Sequence, residues 1–140
     1  MKFLFNREAF TLIELIAAVI IVAIVAAFAI PNYTRTIERA HLRDATGNLI
    51  AVHAAQQVRF SEQGKYWPET AITVDLASIN TNLKLNIIAQ GMTYTCEGNA
   101  AGTAFTCDAV RSGSSPYTVR ATQAVLSASN PQCISGASCP

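Results

Sequence analysis

Phe10 to Ile30 reads FTLIELIAAVIIVAIVAAFAI, and this stretch decides the fold. Its 21 residues carry one charge, that of Glu14. As a helix rising 1.5 Å per residue, the stretch is about 31 Å long, close to the hydrocarbon thickness of a bilayer. The apolar core of a cleaved secretory signal is shorter, roughly 7–15 residues, and ends at small residues. Ala26, Ala27 and Ala29 supply small residues, but the run is too long for that reading. A retained membrane-spanning helix over 10–30 is expected. Lys2 and Arg7 precede it while Arg35, Arg39 and Arg43 follow, so positive charge alone barely orients it.

Outward from that run, the 140 residues are enough for one modest core. Hydrophobic residues make up 51% and charged residues 14%, which excludes a disordered chain. A formal charge of +1 supplies no field for gathering nucleic acid. The four cysteines, Cys96, Cys107, Cys133 and Cys139, form no C-x-x-C pair of the kind used in redox sites or zinc knuckles. Four paired cysteines imply an oxidising compartment, and so export of everything beyond the span. They allow three connectivities. Local pairing, Cys96 with Cys107 and Cys133 with Cys139, is favoured because residues 96 and 107 read as facing arms of a hairpin.

Helical character continues past the span. Leu42, Ala45, Leu49 and Val52 recur at helical spacing and form one apolar face. Arg35, Arg39 and Arg43 form a second row, with Glu38 and Asp44 close by. Pro31 removes one helical hydrogen bond and is expected to kink the rod without ending it. One long helix is expected from about Phe10 to about Ser61, its 31–63 half amphipathic. Gly64 closes it and Pro68 prevents an early restart.

The region 64–140 reads as a globular β-sheet head, making the class α+β, with the second half of the helix covering one face of a small antiparallel sheet. Residues 65–80 read as a loop with a short helical turn near Asp75 to Asn80. Alternation then predicts four strands, around Leu83, Leu85 and Ile87; Met92, Tyr94 and Cys96; Phe105, Cys107 and Ala109; and Tyr117, Val119 and Ala121. Glu97 to Gly102 and Arg111 to Pro116 read as turns.

Glu14 is the residue with a chemical question attached. A carboxylate inside an apolar span needs a partner, and no Lys, Arg or His lies between Arg7 and Arg35. The bland reading is a glutamate that snorkels to the headgroups. The sharper one is a partner supplied by another copy of the chain.

The other candidates are weaker. His41 and His53 stand twelve apart, not at the i, i+4 spacing of a helical metal pair, so packing or surface roles are expected and no metal site. Ser114 and Ser115 sit in a turn without a nucleophile context. Gly98 to Gly102 lacks the Lys-Ser/Thr of a phosphate loop. Tyr33, Tyr66 and Trp67 read as packing or membrane-interface residues. Residues 64–140 hold four basic and four acidic side chains, which argues against direct nucleic-acid binding. No catalytic constellation and no cofactor are expected.

Phe10-Thr11-Leu12-Ile13-Glu14-Leu15, following a short polar leader, resembles the signature of type IV prepilins and pseudopilins. The run to Ile30-Pro31-Asn32-Tyr33 is similar to the pilin stalk, and Gly64-Lys65-Tyr66-Trp67-Pro68 resembles the element where the pilin head begins. The resemblance implies a leader over 1–9, removed by a prepilin peptidase between Ala9 and Phe10, followed by methylation of the new Phe10 amine. It implies that Glu14 pairs with that amine on an adjacent subunit during assembly. It further implies a structural subunit of a helical homo-oligomeric filament, handled by a pilus assembly machinery. The subunit would wait in the inner membrane with its head in the periplasm, then move to an extracellular pilus. The family usually has Gly before the cut, where this chain has Ala9.

Two other readings stand beside it. A type II secretion pseudopilin shares the stalk, but major pseudopilins generally carry a calcium loop near the C-terminus and no disulfide there. A single-pass anchored binding or enzymatic domain would need a pocket constellation.

Overall fold

The computed structural model describes residues 11–113, 116–127, 129–135 and 139. Two compact units divide the chain, Met1–Ile37 and Glu38–Pro140. Helix α1 (Leu12–Gln63) belongs to both and runs without interruption past Pro31. In the first unit its side chains are almost all exposed, including Leu12 at 77% and Phe28 at 71%.

The second unit is an α1 segment laid on a sheet. After α1 come β1 (Thr73–Asp75), α2 (Leu76–Asn82), β2 (Met92–Gly98), β3 (Phe105–Arg111), β4 (Tyr117–Thr122) and β5 (Gln132–Ser135). The strands pair in chain order, and every pair is antiparallel. Alternate residues of the three central strands face inward: Met92, Tyr94 and Cys96; Phe105, Cys107 and Ala109; Tyr117, Val119 and Ala121. Ala45, Leu49 and Val52 of α1 join them in one core, with Leu42 half-buried at its edge. This is the α+β architecture that the alternation and the helical face predict.

The end of α1 follows from Gly64. Its φ of 71° is left-handed, open to glycine at no side-chain cost, and its amide bonds to Phe60 O at 2.8 Å. The chain then crosses the β2–β3 turn, where Tyr66 N–H bonds to Gly102 O at 2.8 Å. A Cβ at Gly98 would overlap the Pro68 carbonyl oxygen, so only glycine permits that crossing. Asn99 builds the turn, its Oδ1 accepting from Thr103 N at 2.8 Å and Ala104 N at 3.2 Å.

One expected strand is absent. Leu83 and Ile87 are buried and Leu85 half-buried, so the alternation is real, but the segment is irregular. Two causes are visible. Lys84 has a φ of 53°, which breaks an extended chain. The Asn80 side chain takes both backbone groups of Ile87, donating to its carbonyl and accepting from its N–H, each at 2.9 Å. A side-chain amide thus supplies what a neighbouring strand would have supplied. The predicted helical turn near Asp75 is α2, capped by Asp75 Oδ1 accepting from Ser78 N at 3.0 Å.

Candidate assembly helix and its supports

The N-terminus of α1 is organised by two residues. Thr11 N–H and Thr11 Oγ1–H both donate to Glu14 Oε2, at 3.0 and 2.8 Å. Glu14 N lies 3.4 Å from Thr11 Oγ1 in return. This is a reciprocal capping box, T-x-x-E, which satisfies two of the amides a helix start leaves without partners. Reading Glu14 only as a charge in search of a counter-charge misses this second task. The signal was present in the spacing of Thr11 and Glu14.

Beyond the box, α1 contains a stretch long and apolar enough to cross a membrane, and none of it is buried within the chain. In water that face is costly, at about 25 cal/mol per Å² of apolar surface, so it requires lipid or other helices. Ala9 and Phe10, where cleavage and methylation are expected, lie outside the described residues, as does the expected 1–9 leader. Ser114 and Ser115 lie outside them too.

Where α1 enters the second unit, Arg111 of β3 clasps it. Its Nη2 bonds to Glu38 Oε1 at 3.0 Å and its Nε to Oε2 at 3.2 Å, a bidentate pair, while Nη1 reaches Gly91 O at 2.8 Å. Tyr117 O–H adds a longer bond to Glu38 O at 3.4 Å. The Arg111 hydrogen bonds hold the Glu38 carboxyl below the ordinary carboxylate range, and Glu38 correspondingly raises Arg111. Because the folded-state pKa of Glu38 is depressed, the pair's contribution is complete above the ordinary carboxylate range. It is lost as pH falls through the depressed value. With both side chains still about a quarter exposed, the pair is expected to contribute about 1 kcal/mol. Denaturant titrations of wild type and Arg111→Gln are therefore expected to differ by a constant amount at neutral pH and to converge in acid. A difference that persists undiminished at pH about 2 would assign the effect to packing instead.

The disulfides sit at two places in the sheet. Cys96 and Cys107 are joined where β2 and β3 pair them directly, both buried in the core. Cys133 of β5 is joined to Cys139, closing a short loop at the sheet's edge. No cysteine is free.

The histidines separate. His41 is half-exposed, whereas His53 is buried, its Nε2 2.9 Å from Ala124 O and its ring against Phe105. Twelve helical residues place them about 18 Å apart along the axis. No group of three or more His, Cys, Asp or Glu among the described residues could hold a metal ion. Tyr66 is buried between Phe60 and Phe105, whereas Tyr33 is exposed. Two contributors were not legible as such in the sequence: Gln56, which is fully buried, and the Glu38–Arg111 clasp, whose partners are 73 residues apart.

Comparison with known families agrees with this arrangement. Residues 4–30 match the family model of the prokaryotic N-terminal methylation motif. The chain is also similar to the type IV major pilin protein PilA of Myxococcus xanthus, with 43% identity over 61 residues. That match covers 44% of this chain and 28% of the relative's length. No solved structure matches the chain significantly. The motif and the relative make the N-terminal part of the chain similar to type IV pilins, and the chain spans less than a third of the length of the curated relative that it matches.

Proposed function

We propose that this chain is a structural subunit of a type IV pilus. A prepilin peptidase cuts between Ala9 and Phe10 and methylates the Phe10 amine. The 10–30 segment, which includes the first part of α1, then anchors the subunit in the inner membrane, with the head in the periplasm. On assembly α1 leaves lipid and packs against the α1 helices of other copies, while the head stays at the surface of the extracellular filament. The 31–63 half of α1 carries the head, and Pro31 provides a bend between the two halves.

The observation that carries the reading is an apolar stretch at the start of α1, none of it buried within the chain, whose one acid, Glu14, stands one turn from the proposed new N-terminus. Helix association in lipid gains nothing from hydrophobicity alone, since lipid tails are equally apolar. A charge pair between Glu14 and the Phe10 amine of a neighbour supplies the missing register. The Cys133–Cys139 loop supports a pilin over a secretion pseudopilin, which shares the stalk. Mass spectrometry of protein sheared from the cell surface is expected to find Phe10 as the first residue, bearing one added methyl group. A surface form that retains Met1 to Ala9 would overturn the proposal.

A further inference from the structure

Two residues of the second unit stand against local stability with nothing in the fold to account for them, and both line one groove. Gly47 sits in the interior of α1, where glycine is unfavourable. Nothing lies within 4 Å of where its Cβ would be, so no close approach requires it. Gln90 holds a φ of 38° beside Gly91 at 76°, in a tight turn closed by Met92 N–H to Ala89 O at 2.7 Å. Turns with both central residues at positive φ favour Asn, Asp or Gly, and glutamine there is strained. The groove that Gly47 and Gln90 share has a volume of about 330 Å³ and lies between α1 and the segment 86–90.

Its walls are held in place from within the fold. Asn80 bonds both backbone groups of Ile87, and Arg111 Nη1 holds Gly91 O at 2.8 Å, so the segment is fixed at its middle and its end. Asn48 Nδ2 donates to the hydroxyl oxygen of buried Tyr94 at 2.9 Å, which orients the amide beside the groove. Asn86 and Gln90 add two exposed carboxamides. Arg43 and Asp44 add one charge of each sign, neither of them in an ion pair among the described residues. Ile88, 66% exposed, forms the apolar edge.

We propose that this groove binds a neutral saccharide unit. Its charges cancel, so neither an anion nor a cation is preferred. Each carboxamide both donates and accepts, as does each sugar hydroxyl, and the planar end groups of Arg43 and Asp44 can each span two neighbouring hydroxyls. The CH face of a sugar ring covers Ile88, which otherwise stands in water. The volume is at the lower end of small-molecule sites and suits a mono- or disaccharide. Gly47 leaves open the space that a side chain would fill, and Gln90 accepts backbone strain while placing an amide at the rim. The site lies wholly within the second unit, so it neither needs the filament nor follows from it.

Glucose, galactose, mannose and N-acetylglucosamine are the probes, titrated into isotopically labelled full-length protein in a detergent without sugar groups. At least one is expected to shift the side-chain amide resonances of Asn48, Asn86 and Gln90 saturably, with a dissociation constant on the order of 1 mM, while that of buried Asn130 stays in place. Gly47→Leu fills the groove from a position with room for a side chain. It is expected to weaken binding at least about tenfold, with the melting temperature unchanged or raised. Gln90→Gly relieves the turn and removes one amide, so it should melt no lower than wild type and bind about threefold to tenfold more weakly. No saturable shift from any of the four sugars overturns the site, as does binding that survives Gly47→Leu. Full affinity in Gln90→Gly overturns it too, however Gly47→Leu folds. Saturable shifts of the same resonances by glycine or inorganic phosphate, with none from the sugars, would make the ligand a charged one and overturn the saccharide.

Discussion

Gln56→Leu is expected to cost the head about 2–6 kcal/mol, one to three for each of two orphaned backbone groups. Gln56 is fully buried on the core face of α1, and its amide works in both directions. Oε1 accepts from Trp67 N–H at 2.9 Å, and Nε2 donates to Trp67 O. The side chain thus acts as a strand partner for the one residue that begins the head's loop. Leucine is close in volume and better at filling apolar space, so the loss would come from the backbone groups and not from a cavity. Gln56→Glu separates the two roles. Its carboxylate can still accept from Trp67 N–H but faces the Trp67 carbonyl, a contact it tolerates only when protonated. Its folded-state pKa would be raised, so this variant should be least impaired in acid and lose stability as pH rises. Chemical denaturation of detergent-solubilised protein, followed by far-ultraviolet circular dichroism, measures both variants. A Gln56→Leu protein within about 0.5 kcal/mol of wild type would show that water replaces the amide, and that Trp67 is not held from the helix.

The same residue shows where sequence reasoning ends. In β2, β3 and β4 the alternation of apolar residues reports burial directly, because α1 covers one face of the sheet and leaves the other to solvent. Leu49 and Val52 were legible for the matching reason, since only one side of that helix is packed. A glutamine within such a face looks like an error in the pattern until its backbone partner, eleven residues on, is placed beside it. β1 and β5 had no pattern to read. They are three and four residues long and pair on one side only, and their strand character lies in backbone bonds. The stretch from Leu83 to Ile87 failed in the opposite way. Alternate burial is there, yet Asn80 satisfies the backbone and no strand forms. In the candidate site, the acid was legible from composition alone. Its cap was equally present in T-x-x-E but was hidden by the more conspicuous charge.

Glu14→Gln is expected to lower filament yield by at least about tenfold while the membrane pool of folded subunit is retained or grows. Glutamine has nearly the same volume and can take the third position of a capping box as well as glutamate can. Thr11 therefore keeps an oxygen acceptor for its amide and hydroxyl, and the start of α1 stays formed. Only the charge is lost. In the membrane this makes insertion easier, because no ionised group needs solvation among lipid tails. In the proposed filament the consequence reverses, because the Phe10 amine of the incoming copy arrives charged in an environment of low dielectric with nothing to neutralise it. Thr11→Ala is the complementary variant, removing the cap hydroxyl and leaving the acid. If Glu14 acts through its charge, Thr11→Ala should assemble far better than Glu14→Gln. If it acts chiefly as a helix cap, the order should invert. Sheared-filament and membrane-fraction yields, measured side by side with the same assembly machinery, decide between them. Equal yield from wild type and Glu14→Gln would remove the charge pair from the mechanism and leave the capping box as the reason for an acid at this position.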